Sequence, residues 1–548
     1  MHATDPTPYP DDGKTSDRDG TLILDQSHSP SAKKPFSFHM SFLALNIMVF
    51  IVSLDATILA VAIPEIAHEL RGTTLTSFWA SISFLLAVVV TQPLYTSTSD
   101  VLGRKIPLYI AFVLFLAGSI VFSLAQNMGA LIAGRILQGL GAGGIDVLGE
   151  IIVADMTTLK ERPLYLGLLA VPMSVGSILG PSVGALFSQR VSWRWIGWVN
   201  VPICVVGLTL VVFFLKLRER AEGFRQRLAR LDWVGMGLFA LGTTAVALPL
   251  SWAGAMYKWA DWRTVVPLLV GVALLAGFVV YEGSQRVYEP VLPHRLFRST
   301  TAVVSFLGSF VHGMVVYCLL LYLPLFFQAV LLEEPLQAAV SLLPLSTITV
   351  AVSVLSAVLV ELFRRYRWNI WVGWAMLSLG LGLLSLLGSS ASMAIKYSAQ
   401  VVAGVGIGAL YTILVLPVQA SAPNVDDTGM AVGVFVSFRL FGALIGLAIG
   451  SSVFNSVWEK SAADMASLPD NLDGLRTGYE AIQLIPSLRV LDIAPEGLSS
   501  LLSLYEQSMR AIWYVLVGFS VLGLFASLFT REMTLDKEEM GRQRFEDV

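Results

Sequence analysis

Between Met40 and Leu528 one apolar run of about 20 residues follows another, each long enough to cross roughly 30 Å of hydrocarbon. A chain with this pattern has no way to bury its apolar surface while remaining dissolved in water. Composition agrees: of 548 residues 55% are hydrophobic and only 14% charged, against about 25% charged in an average soluble domain, and the mean hydropathy is +0.71. Membrane strands would need segments of about 10 residues with alternating polarity, whereas SFLALNIMVFIVSLDATILAVAIP is uninterrupted and helix-length. The fold class is therefore all-α, a polytopic membrane protein. The net charge of −3 carries no nucleic-acid signal, and Cys204 and Cys318, both inside apolar runs, form no disulfide framework.

The pattern predicts fourteen spans, at about 40–64, 77–96, 106–125, 128–154, 164–187, 196–215, 233–254, 264–282, 301–328, 338–360, 370–388, 394–419, 430–455 and 510–530. Residues 1–36 are rich in Asp, Pro, Ser and Thr and lack a signal peptide's basic-then-apolar pattern, so they read as a disordered cytoplasmic tail. An even span count puts both ends on one side. The loops on that side carry sixteen Lys and Arg, among them Arg104, Lys105, Arg225 and Arg364, against five in the opposite short loops. The basic side is the cytoplasmic one by the positive-inside rule. Residues 532–548 then form a second cytoplasmic tail, and 457–509, mixed and partly amphipathic, an external loop or surface helix.

The two halves repeat. GLGAGG at Gly139 is followed 37 residues later by GSILGPSVGA at Gly176, and GVGIGA at Gly404 is followed 38 residues later by GALIGLAIG at Gly442. Small residues every four positions let helix backbones approach closely, and duplicated helical bundles with a site between them are the build of secondary transporters. On this reading Gly176, Gly180, Pro181 and Gly184 shape a kinked fifth span packed on the thirteenth through Gly442, Gly446 and Gly450. Gly139, Gly141 and Gly144 also satisfy GxGxxG, but inside an apolar helix rather than after a strand, so no dinucleotide site follows. Neither a phosphate-binding G-x-x-x-x-G-K-[ST] nor HExxH occurs. The reading requires no cofactor and no metal, and gives no enzyme activity.

Motifs in chain order resemble the major facilitator superfamily, and more narrowly its fourteen-span drug:proton antiporter branch as found in fungi. They are Leu54-Asp55-Ala56-Thr57-Ile58 in the first span, and Asp100-Val101-Leu102-Gly103-Arg104-Lys105 after the second, with Thr96 and Val101 departing from the superfamily loop. Arg135, Gln138, Gly139 and Gly141 match R-x-x-Q-G-x-G, and Gly176, Gly180, Pro181 and Gly184 match the antiporter pattern of the fifth span, with Ala185 at its last place. Shorter matches are Trp193-Arg194-Trp195, Asn200-Val201-Pro202, Asp232-Trp233-Val234-Gly235 and Tyr322-Leu323-Pro324 with Gln328. The resemblance implies a six-helix bundle over 37–217, a basic linker with two inserted spans over 218–299, and a second six-helix bundle over 300–531. It also implies that Asp100, Gly103 and Arg104 belong to a cytoplasmic gate whose charge contacts break on opening; a basic loop held inside by charge alone is the other reading of those residues.

Ionisable residues inside membrane helices are costly and normally paired, so they are functional candidates. Asp55 in the first span and Arg135 in the fourth reach similar depths, and they can meet if those helices adjoin as the family fold implies; a static ion pair that only fixes packing is the alternative. Asp146 and Glu150 follow Arg135 on one helix face, about 20° and 60° round from it. That face is expected to line a polar cavity, with one carboxyl alternating between proton and substrate, or else to bond a neighbouring helix. Gln138, Asn46, Gln92, His312, Gln328, Tyr411 and Gln419 are the neutral cavity candidates, each of which taken alone is better read as an interhelical hydrogen bond, while Asp155, Lys160, Glu161 and Arg162 read as a solvated loop.

The function these features indicate is a proton-coupled antiporter exporting small amphiphilic organic molecules, such as drugs, toxins or secondary metabolites, by alternating access. Proton-coupled uptake, for instance of an iron chelate, is the alternative within transport, and a non-transporting membrane receptor the alternative outside it. The expected partners are a small-molecule substrate, protons and membrane lipid, with no nucleic acid. The expected state is a monomer in the plasma membrane, with the vacuolar membrane as the alternative.

Overall fold

The computed structural model describes residues 34–535, apart from 73, 219–222, 254–255, 285–288, 390, 464–480, 483 and 491–494, together with Gln543 and Phe545. Residues 1–33 of the expected N-terminal tail lie outside the described residues. The helices are α1 (Phe36–Glu69), α2 (Thr74–Leu102), α3 (Lys105–Ser123), α4 (Met128–Met156), α5 (Arg162–Arg190), α6 (Trp195–Trp198), α7 (Asn200–Phe214), α8 (Phe224–Arg230), α9 (Trp233–Trp252) and α10 (Trp262–Glu282). They continue as α11 (Thr300–Ala329), α12 (Pro335–Ser341), α13 (Leu343–Phe363), α14 (Arg367–Leu384), α15 (Met393–Ile413), α16 (Val415–Ala420), α17 (Thr428–Ala463) and α18 (Pro495–Ser527).

Local chemistry sets several starts. Asn127 accepts the Ala130 amide at 2.9 Å ahead of α4, Asp232 the Gly235 amide at 2.9 Å ahead of α9, and Asp261 the Arg263 amide at 2.9 Å ahead of α10. Each side chain satisfies a donor that the first turn leaves open.

Among the described residues, 13 helices are long and apolar enough to cross a membrane, one fewer than the fourteen expected. The eleventh expected span falls on α14, which has 18 residues and opens Arg367-Trp368-Asn369. Its 18 residues fall within the range of a spanning helix, and it is the polar opening that dilutes its hydropathy. In the segment 457–509, expected as a loop or surface helix, α17 runs on to Ala463 and α18 begins at Pro495, so both of its ends are helical.

Packing pairs reveal the repeat. Helix α1 packs along α5, α3 and α2 pack on α4, and α7 returns to α1; correspondingly α11 packs along α17, α14 and α13 pack on α15, and α18 returns to α11. The halves meet along two seams, α5 against α13 and α2 against α17. These exchange equivalent partners, as an approximate twofold relation requires. Helices α9 and α10 pack on each other, and α9 leans on α2 and α17 beside the second seam. Trp79 and Trp252 meet edge to face there, with ring centroids 5.8 Å apart.

The expected contact between the fifth and thirteenth spans is overturned. Gly176, Gly180 and Gly184 face Phe50, Leu54, Thr57 and Ile58 of α1, whereas Gly442, Gly446 and Gly450 face Phe310, Met314 and Tyr322 of α11. Each glycine face serves its own half. Pro181 lies inside α5, and removes one backbone donor from the ladder there.

Candidate functional site

The charged residues of α4 divide between two sites. Arg135 Nη1 donates to Asp55 Oδ2 at 2.6 Å and to Gln138 Oε1 at 3.2 Å, while Gln138 Nε2 donates to Asp55 Oδ1 at 3.2 Å and to the Ser119 hydroxyl at 3.0 Å. Asn200 Nδ2 donates to Asp55 Oδ1 at 2.6 Å, and the Arg135 guanidinium lies 4.4 Å from the centre of the Phe84 ring. Asp55, Arg135 and Gln138 are all fully buried. Asp55 thus gathers three donors from α4 and α7, which is how a buried carboxylate is made tolerable. Sequence reasoning pairs Asp55 with Arg135, leaves Gln138 among the cavity candidates, and gives no role to Asn200 or Ser119.

Asp146 and Glu150 lie on the same face of α4, yet about 16 Å and 22 Å further along the axis. That separation in depth is why the expectation of a single cavity lined by all three charges fails. They line a small cavity of about 20 Å³ between the halves, with Val49, Leu166, Leu169, Ala170 and Met173 on one side and Tyr411, Thr412, Val415 and Arg439 on the other. Arg439 of α17 forms an ion pair with Glu150, and its guanidinium stacks 4.7 Å from the centre of the Tyr411 ring. Asp146 accepts a hydrogen bond from Gln92 Nε2 at 2.8 Å and interacts with Arg439 through space. The Tyr411 hydroxyl contacts Met173 Sδ across the same gap. His312 instead turns to the Ile407 carbonyl at 3.2 Å, Asn46 Nδ2 to Phe42 at 2.7 Å, and Gln328 to Pro324 at 3.3 Å. The sequence reading passed over Arg439, although it stands in an apolar run and the rule that selected Asp55 applies to it equally.

At the basic face, Gly103 has φ +90, a conformation that favours glycine, and turns the chain so that Arg104 folds back. Arg104 Nε donates to Asp155 Oδ2 at 2.8 Å, and Asp100 Oδ1 lies 3.5 Å from its Nη2. Burial disfavours the Arg104 charge, but the Asp155 and Asp100 carboxylates outweigh that and hold its pKa above the ordinary arginine value. Gln543 accepts the Arg104 amide at 3.2 Å. Asp155 and Arg162 are no solvated loop: both are buried, and Arg162 reaches the Ala154 carbonyl at 2.6 Å and Gln419 Oε1 of the other half at 3.3 Å. Among the described residues no cluster of His, Cys, Asp or Glu could hold a metal ion.

The Major Facilitator Superfamily profile matches residues 45–447. The MFS-type transporter sphD of Aspergillus fumigatus is 47% identical over 518 residues, covering 94% of this chain and 89% of that protein. The MFS-type efflux pump LUC4 of a Fusarium species is 34% identical, covering 94% of this chain and 91% of that protein. Of solved structures, the human organic anion transporter MFSD10 superposes with a TM-score of 0.59 at 14% identity, covering 90% of this chain and all of that one. The proton:xylose symporter XylE gives the same TM-score and identity, with 92% of this chain and 98% of that one covered.

Proposed function

The chain belongs to the major facilitator superfamily, and from that membership, which makes it a transporter of small molecules, we propose that it is a proton-coupled antiporter exporting small amphiphilic organic molecules by alternating access. The observation that carries this reading is the cavity between the halves, where Asp146 and Glu150 project into an otherwise largely apolar enclosure. Apolar walls with a few fixed polar groups suit an amphiphile. A carboxyl in such surroundings holds a proton readily and gives it up when a cation or water approaches, so proton and substrate occupy the site alternately. Relatives of this chain named as efflux pumps, among them LUC4 and MMF1 of Pseudozyma antarctica, favour export over uptake. In this reading Asp55 and Arg135 are a fixed internal strut, Asp100, Gly103 and Arg104 gate the basic face, and the protein works as a monomer in the plasma membrane with both ends in the cytoplasm.

Amide variants test it. Asp146→Asn and Glu150→Gln keep shape and remove titration, so at least one should abolish accumulation of a fluorescent amphiphile such as rhodamine 6G in proteoliposomes under an imposed proton gradient, while passive exchange of the dye continues. If both variants accumulate dye at the wild-type level, the proton path lies elsewhere and the antiport mechanism is wrong.

A further inference from the structure

We infer that the C-terminal tail is an autoinhibitory strap: anchored on the second half, it clips the α2–α3 loop of the first half with the Gln543 amide and so holds the basic face shut. The strap presupposes the alternating access proposed above and needs no titrating group.

On leaving α18 the tail is first tied to the second half. The Arg531 amide donates to the Thr301 hydroxyl at the start of α11, at 3.1 Å. The Tyr366 hydroxyl donates to the Arg531 carbonyl at 2.8 Å and accepts the Met533 amide at 2.9 Å. Glu532 accepts the Tyr366 amide at 2.9 Å and the Arg367 amide at 3.2 Å, donors that the first turn of α14 leaves open, and Leu535 is buried. By Gln543 the chain has reached the other half. Gln543 Oε1 accepts the Arg104 amide at 3.2 Å, and Gln543 Nε2 lies 3.5 Å from the Asp100 carbonyl oxygen. Phe545 pairs antiparallel with Leu217 beyond α7, and its ring meets Phe38 of α1 edge to face, with centroids 5.8 Å apart.

What Gln543 touches decides what the strap does. Gly103 turns the chain between α2 and α3, so the Asp100 carbonyl in the last turn of α2 and the Arg104 amide ahead of α3 fall outside both helical ladders. One carboxamide, 5% exposed, meets both, because it carries a donor and an acceptor side by side. Arg227 of α8 donates to the Leu102 carbonyl at 2.7 Å, completing the cap. This turn sets the Arg104 side chain where the halves touch: Gly429 of α17 abuts Arg104 and Ile151, and Gly433 abuts Thr96 of α2. The two ends of the Gln543 amide match the loop only while its carbonyl and amide keep these positions. The tail therefore binds the shut arrangement better than one in which the loop has moved, and a contact with that preference shifts the balance toward the shut state.

The test compares the full chain with one shortened after Leu535, each carrying a reporter cysteine, Ala357→Cys, buried at the α5–α13 seam. The probe is a membrane-impermeant maleimide, and the native Cys204 and Cys318 are buried. The shortened chain should label about tenfold faster and Gln543→Ala about threefold faster, a net hydrogen bond being worth a few-fold in such a balance, with the thermal unfolding midpoint in detergent unchanged. In a chain without the reporter, Leu217→Cys with Phe545→Cys fixes the tail in place, since paired antiparallel residues lie about 4.5–5.5 Å apart at Cα, within disulfide reach. Mild oxidation should slow dye flux in proteoliposomes severalfold, and reduction should restore it. That pair and Gln543→Ala carry the test if the shortened chain fails to fold. Parental labelling of Gln543→Ala, faster labelling that comes with a matching fall in the unfolding midpoint, or full flux with the bond formed overturns the strap. If the reporter in the full chain stays unlabelled in proteoliposomes that are moving dye, it is the alternating-access reading that fails; if it labels there and the shortened chain labels no faster, only the strap fails.

Discussion

Asp55 and Arg135 are worth more as a pair than either is alone. Asp55→Asn would leave the Arg135 guanidinium, 1% exposed, with hydrogen-bond acceptors but no counter-charge, which costs about 3–5 kcal/mol when a buried pair is broken. The double variant Asp55→Asn with Arg135→Gln should recover most of that loss. Thermal unfolding in detergent measures both, and equal destabilisation of single and double variants would contradict the argument. At the rim the same chemistry is weaker. The Arg194 guanidinium, 2.6 Å from Glu69, holds the Glu69 carboxyl below its ordinary pKa, against the opposing effect of partial burial. A depressed carboxylate contributes stability above its unfolded pKa, about 4.3, and loses it as pH falls through the folded value. Glu69→Gln should therefore flatten the acid side of the stability profile slightly, and an unchanged acid limb would show the bond to be inert. Residue type and depth were enough to select Asp55, Arg135, Asp146 and Glu150 from sequence. Depth alone could not show that Asp155 and Arg162 are buried, because that depends on which other elements dock over the helix ends.

At the scale of elements, the glycine stripes were legible and their partners were not. A small-residue spacing says that a backbone comes close on that face, but it carries no address. Hence the spacing alone points the stripe on α5 to the thirteenth span, whereas its partner is α1, and the stripe on α17 faces α11. The close approach is testable at Gly442, where an added Cβ would collide with the Phe310 carbonyl oxygen. The oxygen belongs to helix backbone and the Cβ is fixed by it, so neither can turn aside. Gly442→Ala should destabilise by about 1–3 kcal/mol, as overpacking does, and lower transport with it. Gly277 of α10 has nothing within 4 Å of the same added atom, so Gly277→Ala should stay within about 0.5 kcal/mol of the parent. Equal effects of the two substitutions would mean that packing against α11 does not limit α17. Helix existence was likewise legible from hydropathy, including α14, which forms where the eleventh span is expected although its polar opening residues lower its mean hydropathy.

At the scale of the whole molecule, the halves are joined by exchanged seams, α5 with α13 and α2 with α17, and the basic ends of both seams are closed by side chains that touch. Alternating access requires those ends to part once in every cycle, so a covalent bond across either seam must stop transport even though it alters no group in the cavity. Gly167 and Ala357 offer the place. A Cβ built on Gly167 would lie 2.9 Å from that of Ala357, closer than the disulfide separation of about 3.8 Å, so two cysteines reach bonding geometry once α5 and α13 move apart by about 1 Å. Gly167→Cys with Ala357→Cys should form the bond on mild oxidation, stop dye movement in both directions, and recover on reduction, while each single variant is indifferent to oxidant. The substrate site would remain intact in the cross-linked protein, so dye binding measured by fluorescence anisotropy should persist from the opposite face. Transport at the full rate with the bond demonstrably formed would mean that the halves do not separate at this seam, and that the cavity is reached by some motion other than the rocking that two seams of this kind permit.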